Sequence, residues 1–186
     1  MVCTRDTQSC WQSSKKINPC CTDKLREMLI NVTDVFDELD ILYWIDFGTL
    51  LGAIRHQDII PWDYDVDLCI MKKNLQKVGE KILPVLEERF SYVCRTPTPH
   101  GHIIEYSQHN KLRTDIYTWK ILNDNTYEHV CRGFASPIRQ FSRKYINHLQ
   151  TINFLGKDFK IPNFAKEKLT KMYGNWKKVN KKTPYW

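Results

Sequence analysis

The stretch WIDFGTLLGAIRHQDIIPWDYDVDLCIM, running from Trp44 to Met71, decides the fold. Near its end, Asp63, Asp65 and Asp67 alternate with Tyr64 and Val66, directly before the apolar run Leu68 to Met71. Alternation at period two marks a half-buried strand, in which residues i, i+2 and i+4 share one face. The pattern predicts a strand over Asp63 to Met71, with the aspartates as one acidic row and Val66 and Leu68 turned to the core. Neighbours in such a row have Cα atoms about 6.6 Å apart. Unit charges at that spacing repel by roughly 2.5 kcal/mol at an effective dielectric near 20. That is a sizeable part of a domain stability of about 5–15 kcal/mol. Solvation, opposing basic groups or a bound cation must offset it. A solvated strand edge is the plain alternative. A calcium loop is excluded: with Asp63 as its first residue, Leu68 stands where a glycine is needed and Asn74 where an acid is needed. Magnesium, which takes one or two carboxylates with waters and phosphates, fits better. Asp65 and Asp67 are the predicted pair, and Asp63, at the strand mouth, supports them from outside. Asp115 lies in a second apolar strand pattern, L-R-T-D-I-Y, where an unpartnered acid would be costly. Beside Asp65 and Asp67 it gains a partner through the cation; pairing with Arg113 or another basic group is the alternative.

Working outward, Leu25, Met28, Leu29, Val32, Val35, Phe36 and Leu39 recur at helical spacing, so a helix is expected from Asp23, capped by Thr22 or Asp23. It contains the glycosylation pattern Asn31-Val32-Thr33, a poor acceptor inside a helix. Ile41 to Ile45 reads as a strand, and Gly48-Thr49 as a turn into a short helix with Thr49 as N-cap. Leu75 to Phe90 is a helix interrupted near Pro84. Tyr92 to Cys94, His102 to Tyr106 and Leu112 to Trp119 read as strands, and Thr151 to Phe159 as a hairpin turning at Gly156-Lys157. A last helix starts after Ile161-Pro162-Asn163 and ends near Tyr173-Gly174. The sum is an α+β domain with a small mixed sheet flanked by helices over residues 23–186, and a short cysteine-rich appendage over residues 1–22.

The 186 residues suffice for one domain with a core. No apolar run approaches the roughly 20 residues of a membrane helix, and the N-terminal MVCTRDTQSC is too polar for a leader. The net charge of +7 favours phosphorylated or polyanionic ligands over cationic ones. No nucleic-acid-binding motif accompanies it, so no nucleic-acid partner is expected. A homo-oligomer is compatible with this composition.

Gly48-Thr49-Leu50-Leu51-Gly52, Arg55-His56, the run Asp58 to Leu68 and the later strand residue Asp115 together resemble the LicD and fukutin-related family of the nucleotidyltransferase superfamily, the fukutin-related members more than the bacterial LicD proteins. The resemblance extends from about Leu25 to Pro162-Asn163 and Tyr173-Gly174. It implies a nucleotidyltransferase-like fold and Mg²⁺-dependent (or Mn²⁺-dependent) transfer of an alcohol phosphate, of ribitol 5-phosphate type, from a CDP-linked donor to a hydroxyl of a glycan or glycoprotein, with release of CMP. Phosphocholine transfer from CDP-choline is the alternative, and a non-catalytic glycan-binding or assembly subunit is another. By the family pattern Asp65 and Asp67 hold the metal on the donor diphosphate, Asp115 is the third catalytic carboxylate, and Gly48 and Thr49 form the turn whose N–H groups approach phosphate. Arg55 could add fixed positive charge, and His56 is an alternative base to Asp115. Phe47 departs from the pattern, standing where the superfamily usually has another glycine. A Golgi-lumen or secretory location follows from the same resemblance.

Seven cysteines include Cys3, Cys10, Cys20 and Cys21 near the N-terminus. Their spacing matches no standard finger. Two disulfides, a closed four-thiolate zinc site and unlinked thiols all remain open from the residues. The family resemblance implies zinc, since fukutin-related members gather a similar set on a structural Zn²⁺.

Overall fold

The computed structural model describes residues 3–6, 19–98, 101–130 and 140–178. Helix α1 (Pro19–Glu38) begins earlier than the Asp23 expected. Proline's fixed φ and missing N–H suit a first helical turn, so Pro19 extends the helix and puts Cys20 and Cys21 within it. Its apolar stripe, Leu25, Met28, Leu29, Val32, Val35 and Phe36, is fully buried. Within the glycosylation pattern, Thr33 is buried and bonds back to the Leu29 carbonyl at 2.7 Å, while Asn31 donates to Tyr92 Oη at 2.9 Å.

Strand β1 (Tyr43–Ile45), helix α2 (Phe47–Arg55) and strand β2 (Asp65–Met71) follow. Next comes a compound helical segment: a 3-10 turn (Lys72–Asn74), α3 (Leu75–Lys77), a π turn (Val78–Ile82) and α4 (Leu83–Phe90). The expected interruption near Pro84 is this π turn. Proline offers no N–H to the ladder and its ring crowds the carbonyl four residues back, so the preceding turn widens. Then come β3 (Val93–Thr98), β4 (Gly101–Glu105), β5 (Arg113–Asn123), β6 (Thr126–His129), β7 (Gln140–Ser142), β8 (Gln150–Phe154), β9 (Lys157–Ile161) and α5 (Ala165–Tyr173). Gly174, at φ 62°, closes α5. The β8–β9 hairpin turns at Leu155-Gly156, both with positive φ, one residue before the turn expected.

The main sheet runs β1-β2-β5-β4-β3, with β6 on the outer half of β5 and β7 beyond it. Among the described strands of this sheet, only β2 and β5 pair in parallel. The domain is thus the mixed α+β arrangement that the sequence predicts. The β2–β5 register sets Asp65 against Arg113, Asp67 against Asp115, Cys69 against Tyr117 and Met71 against Trp119. Paired residues share a sheet face, so one face is acidic at one end and aromatic at the other. The opposite face carries Val66, Leu68, Ile70 and Ile116 into the core with α1 and α4.

Candidate active site

The site forms where α2 starts against β2. Gly48 N donates to Asp67 Oδ2 at 2.8 Å and Thr49 N to the same oxygen at 3.4 Å. Asp67 N returns a bond to Thr49 Oγ1 at 2.7 Å. The orphan N–H groups of a helix start are thereby aimed at the acidic row. Thr49 is not the N-cap expected of it. Asp46 is: its Oδ1 accepts from Phe47 N at 2.9 Å, and Thr49 lies inside the first turn.

Phe47, standing where the family resemblance implies a glycine, has a left-handed backbone with φ 48°. Left-handed backbone at such a residue costs about 1–3 kcal/mol. Its ring offsets this by packing at 5.0 Å from Tyr117, 5.7 Å from His129 and 6.5 Å from Trp119. Gly48 is needed for space instead. A Cβ there would stand 2.9 Å from Asp63 Oδ2 and 3.2 Å from Asp67 Oδ2. Gly48→Ala should therefore push both carboxylates aside. The expected outcome in a Mn²⁺ titration followed by thermal unfolding is a folded protein with a much smaller metal-dependent rise in Tm.

Strand β2 starts at Asp65, so Asp63 sits in the preceding turn, its N–H bonded to the Ile60 carbonyl at 2.9 Å. Its side chain still reaches the row, close enough for the Asp65 carboxylate to raise its pKa. Arg113 lies among the acids: Nη2 is 3.6 Å from Asp65 Oδ2 and Nε is 3.1 Å from Asp115 Oδ1, with the guanidinium 5.3 Å from the Tyr64 ring centroid. Both partners foreseen for Asp115, the acidic row and Arg113, are thus beside it. Tyr117 Oη donates to Asp115 Oδ2 at 3.4 Å.

One arginine does not balance four acids, of which Asp67 and Asp115 are buried and Asp63 and Asp65 half-buried. Burial, then repulsion from neighbouring carboxylates, raises Asp63 and Asp67 well above the usual carboxylate range. Burial also raises Asp65, against the pull of Arg113. It pushes Asp115 up to about 7, with Arg113 opposing and Asp65 adding. A cluster with this excess of negative charge fits a divalent cation, and Asp65 and Asp67 are the residues that would hold it. Their oxygens and that of Asp115 do not converge as tightly as the cysteine group described below, and the Arg113 guanidinium reaches both Asp65 and Asp115.

The sign of the pH dependence follows. An acid whose pKa is higher folded than unfolded holds its proton more tightly in the fold. Its contribution is full below the unfolded value of about 3.9 and is lost as pH rises through the folded value. For Asp115 that window closes near 7. The metal-free protein should lose Tm between pH 5 and pH 8, and Mn²⁺ should raise Tm more at pH 8 than at pH 5. Unfolding scans with chelator and with Mn²⁺ at the two pH values check this.

The structure separates the other two predicted residues from the acids' centre. Arg55 Nη1 donates to the Trp176 carbonyl at 3.0 Å, and its nearest acid of the row by electrostatic influence is Asp63. His56 is the C-cap of α2; its ring stands edge-on to Trp62 and accepts from Arg55 Nε at 3.3 Å. Burial and then Arg55 lower its pKa, and the acid that acts on it is Asp58, not the row.

Sequence reasoning passed over Asp46, Lys168 and Tyr173. Lys168, from α5, forms an ion pair with both carboxylate oxygens of Asp46, and both side chains are 0% exposed. Asp46 also accepts from Trp44 Nε1 at 3.1 Å. The Lys168 ammonium lies 4.6 Å from the Phe141 ring centroid, 5.4 Å from Phe47 and 5.6 Å from Trp119. Tyr173, also on α5, has its phenol pushed up by burial and then by the charges of Asp67, Asp46, Asp63 and Asp65. A signal for Lys168 was present: Ala165, Lys168, Leu169 and Met172 form a helical stripe with one lysine on its apolar side.

Of the N-terminal cysteines, Cys10 lies outside the described residues. Cys3, Cys20 and Cys21 bring their sulfurs within 4.8 Å of one another, the only such ligand group among the described residues. Cys3 Sγ and Cys21 Sγ are 3.0 Å apart, well beyond the roughly 2.05 Å of a disulfide.

The family model for the LicD/FKTN/FKRP nucleotidyltransferase domain matches residues 40–164, and the chain belongs to that family. The relatives it matches include ribitol 5-phosphate transferase FKRP of Mus musculus, 29% identical over 173 residues, or 91% of this chain and 35% of the relative. The Homo sapiens counterpart matches with the same identity and coverage. The chain thus spans about a third of the length of these relatives. Lipopolysaccharide cholinephosphotransferase LicD of Haemophilus influenzae is 40% identical over 52 residues, 26% of this chain and 20% of that protein. Among solved structures, the lincomycin-bound lincosamide antibiotic adenylyltransferase LnuA superposes with a TM-score of 0.54 at 14% identity, covering 84% of this chain and 89% of that one. At that identity the likeness concerns the fold alone: it is nucleotidyltransferase-like.

Proposed function

We propose that this chain carries the catalytic core of a transferase that moves an alcohol phosphate, of ribitol 5-phosphate type, from a CDP-linked donor to a glycan hydroxyl. One observation carries the reading: in a LicD-family domain, Asp65 and Asp67 on one strand stand beside Asp115 on the next, at the start of α2. The acceptor oxygen bonds to the phosphorus that bears the alcohol, the bond from that phosphorus to the CMP oxygen breaks, and CMP leaves. The acceptor's proton passes to a carboxylate. Asp115, near 7, is matched to that task at neutral pH. A divalent cation at Asp65 and Asp67 would supply positive charge to the donor diphosphate. Gly48 and Thr49 orient Asp67, and Arg113 keeps Asp65 and Asp115 apart and partly neutralised. Arg55, beside Asp63, contributes positive charge at the rim.

The test is release of CMP from CDP-ribitol, CDP-choline, CDP-glycerol and CDP-ethanolamine with simple glycan acceptors. CDP-ribitol should be the substrate. Preference for CDP-choline would move the assignment to phosphocholine transfer, and no release from any donor by a protein that binds CMP would favour a non-catalytic subunit. The same reading places the protein in the Golgi lumen or elsewhere on the secretory route, with glycan or glycoprotein partners. No helix among the described residues is long and apolar enough to cross a membrane.

Zinc is the second part of the proposal. Three sulfurs so close, two of them on the first turn of α1, suit a tetrahedral thiolate site, with Cys10 as the fourth ligand. Such a site would pin the segment of residues 1–22 to the domain. Within the described residues 3–6, Arg5 donates to the Ser91 and Tyr106 carbonyls at 2.8 and 2.9 Å. Elemental analysis of protein purified without added metal should find about one zinc per chain; thiols unreactive until reduced, with no zinc, would mean disulfides.

A further inference from the structure

The family match ends at residue 164, and α5 begins at Ala165. Yet α5 and the residues after it grip α2 at both ends. Lys168 pairs with Asp46 at the N-terminus of α2, and the Trp176 carbonyl accepts from Arg55 at its C-terminus. Trp176 is itself buried and bonded back to Thr170 Oγ1 at 3.0 Å.

We infer that Lys168 is a positioning residue of the active site, which acts through Asp46 to set the glycine turn that orients Asp67. The chain of contacts is continuous. Lys168 holds both oxygens of Asp46, which caps Phe47 N and fixes Trp44. Asp46 N donates to the Asp67 carbonyl at 3.3 Å, so the cap and the acidic strand are joined by backbone as well. From there Gly48 N and Thr49 N bond Asp67 Oδ2. Lys168 reaches no acid of the row in this chain of contacts. Three aromatic rings surround its ammonium, a setting that holds a cation in place rather than presenting it to a ligand. Asp46 also accepts the N–H of Phe47, the residue with positive φ that leads into the turn. The C-terminal helix is therefore part of the catalytic unit, although it lies beyond the family's matching region.

The inference rests on the metal-dependent reading above, and its test separates the two. Lys168→Met and the double variant Asp46→Leu with Lys168→Met are compared with wild type and with Lys166→Met, an exposed position on the same helix. The double variant replaces the whole pair by apolar groups, so it keeps a folded partner for the comparison if the single variant unfolds. Two quantities are read: hydrogen exchange at the Gly48 and Thr49 amides relative to those of α1, and the Kd for Mn²⁺ alone. We expect exchange at those two amides to speed up by more than exchange in α1 does, and Mn²⁺ binding weakened about tenfold or more, as for loss of an outer support of a metal ligand. Unchanged exchange at Gly48 and Thr49 in a folded variant overturns the inference. So does faster exchange with unchanged Mn²⁺ affinity. A wild type that binds no Mn²⁺ refutes the proposed function instead, and exchange at the two amides then decides by itself whether Lys168 sets the turn.

Discussion

Asp67→Asn is expected to remove the Mn²⁺-dependent rise in Tm and to lower CMP release by about 10²- to 10⁴-fold, the scale of several kcal/mol of charge stabilisation. The fold should survive. Asparagine keeps an oxygen for Gly48 N and Thr49 N, the donors that now reach Asp67 Oδ2. Metal-free, the variant should melt no lower than wild type at pH 8. It removes a buried acid whose ionisation is opposed by burial and by the neighbouring carboxylates. Undiminished apo stability with loss of metal response is hard to obtain from general damage. Unfolding scans with and without Mn²⁺, beside a CMP-release assay, check both halves.

The largest effect on stability is expected from Lys168→Ala. It leaves the Asp46 carboxylate fully buried without its counter-ion. Breaking a buried pair from one side costs about 3–5 kcal/mol, or roughly 6–20 °C in Tm for a domain of this size. Asp46→Leu combined with Lys168→Met should recover most of that loss, since no buried charge is then stranded. Failure of the double variant to recover would mean that Asp46 contributes chiefly as the cap of α2 rather than as half of an ion pair.

Much of the fold was legible because its signals are local. The stripe of α1, the alternation of β2 and the Gly174 stop of α5 each follow from a few neighbouring residues. The placing of Asp115 beside Asp67 was also foreseeable, because a buried acid in an apolar strand needs a partner. What stayed hidden depends on contacts distant in sequence. Asp46 is an ordinary acid after a strand until a lysine 122 positions later covers it. Thr49 has the right chemistry for a cap, but Asp46 takes that place because Phe47 is already helical in its bonding. Strands β6 and β7 escaped notice because they are short: β6 is a strand through its hairpin with the long β5, and β7 through its pairing with β6.

The most direct test is anomalous diffraction from crystals grown with Mn²⁺ and CDP. The account predicts one strong manganese peak bridging Asp65 and Asp67, in contact with the diphosphate and within reach of Asp115. A peak at another site, or nucleotide bound away from α2 with no manganese at these carboxylates, would contradict it.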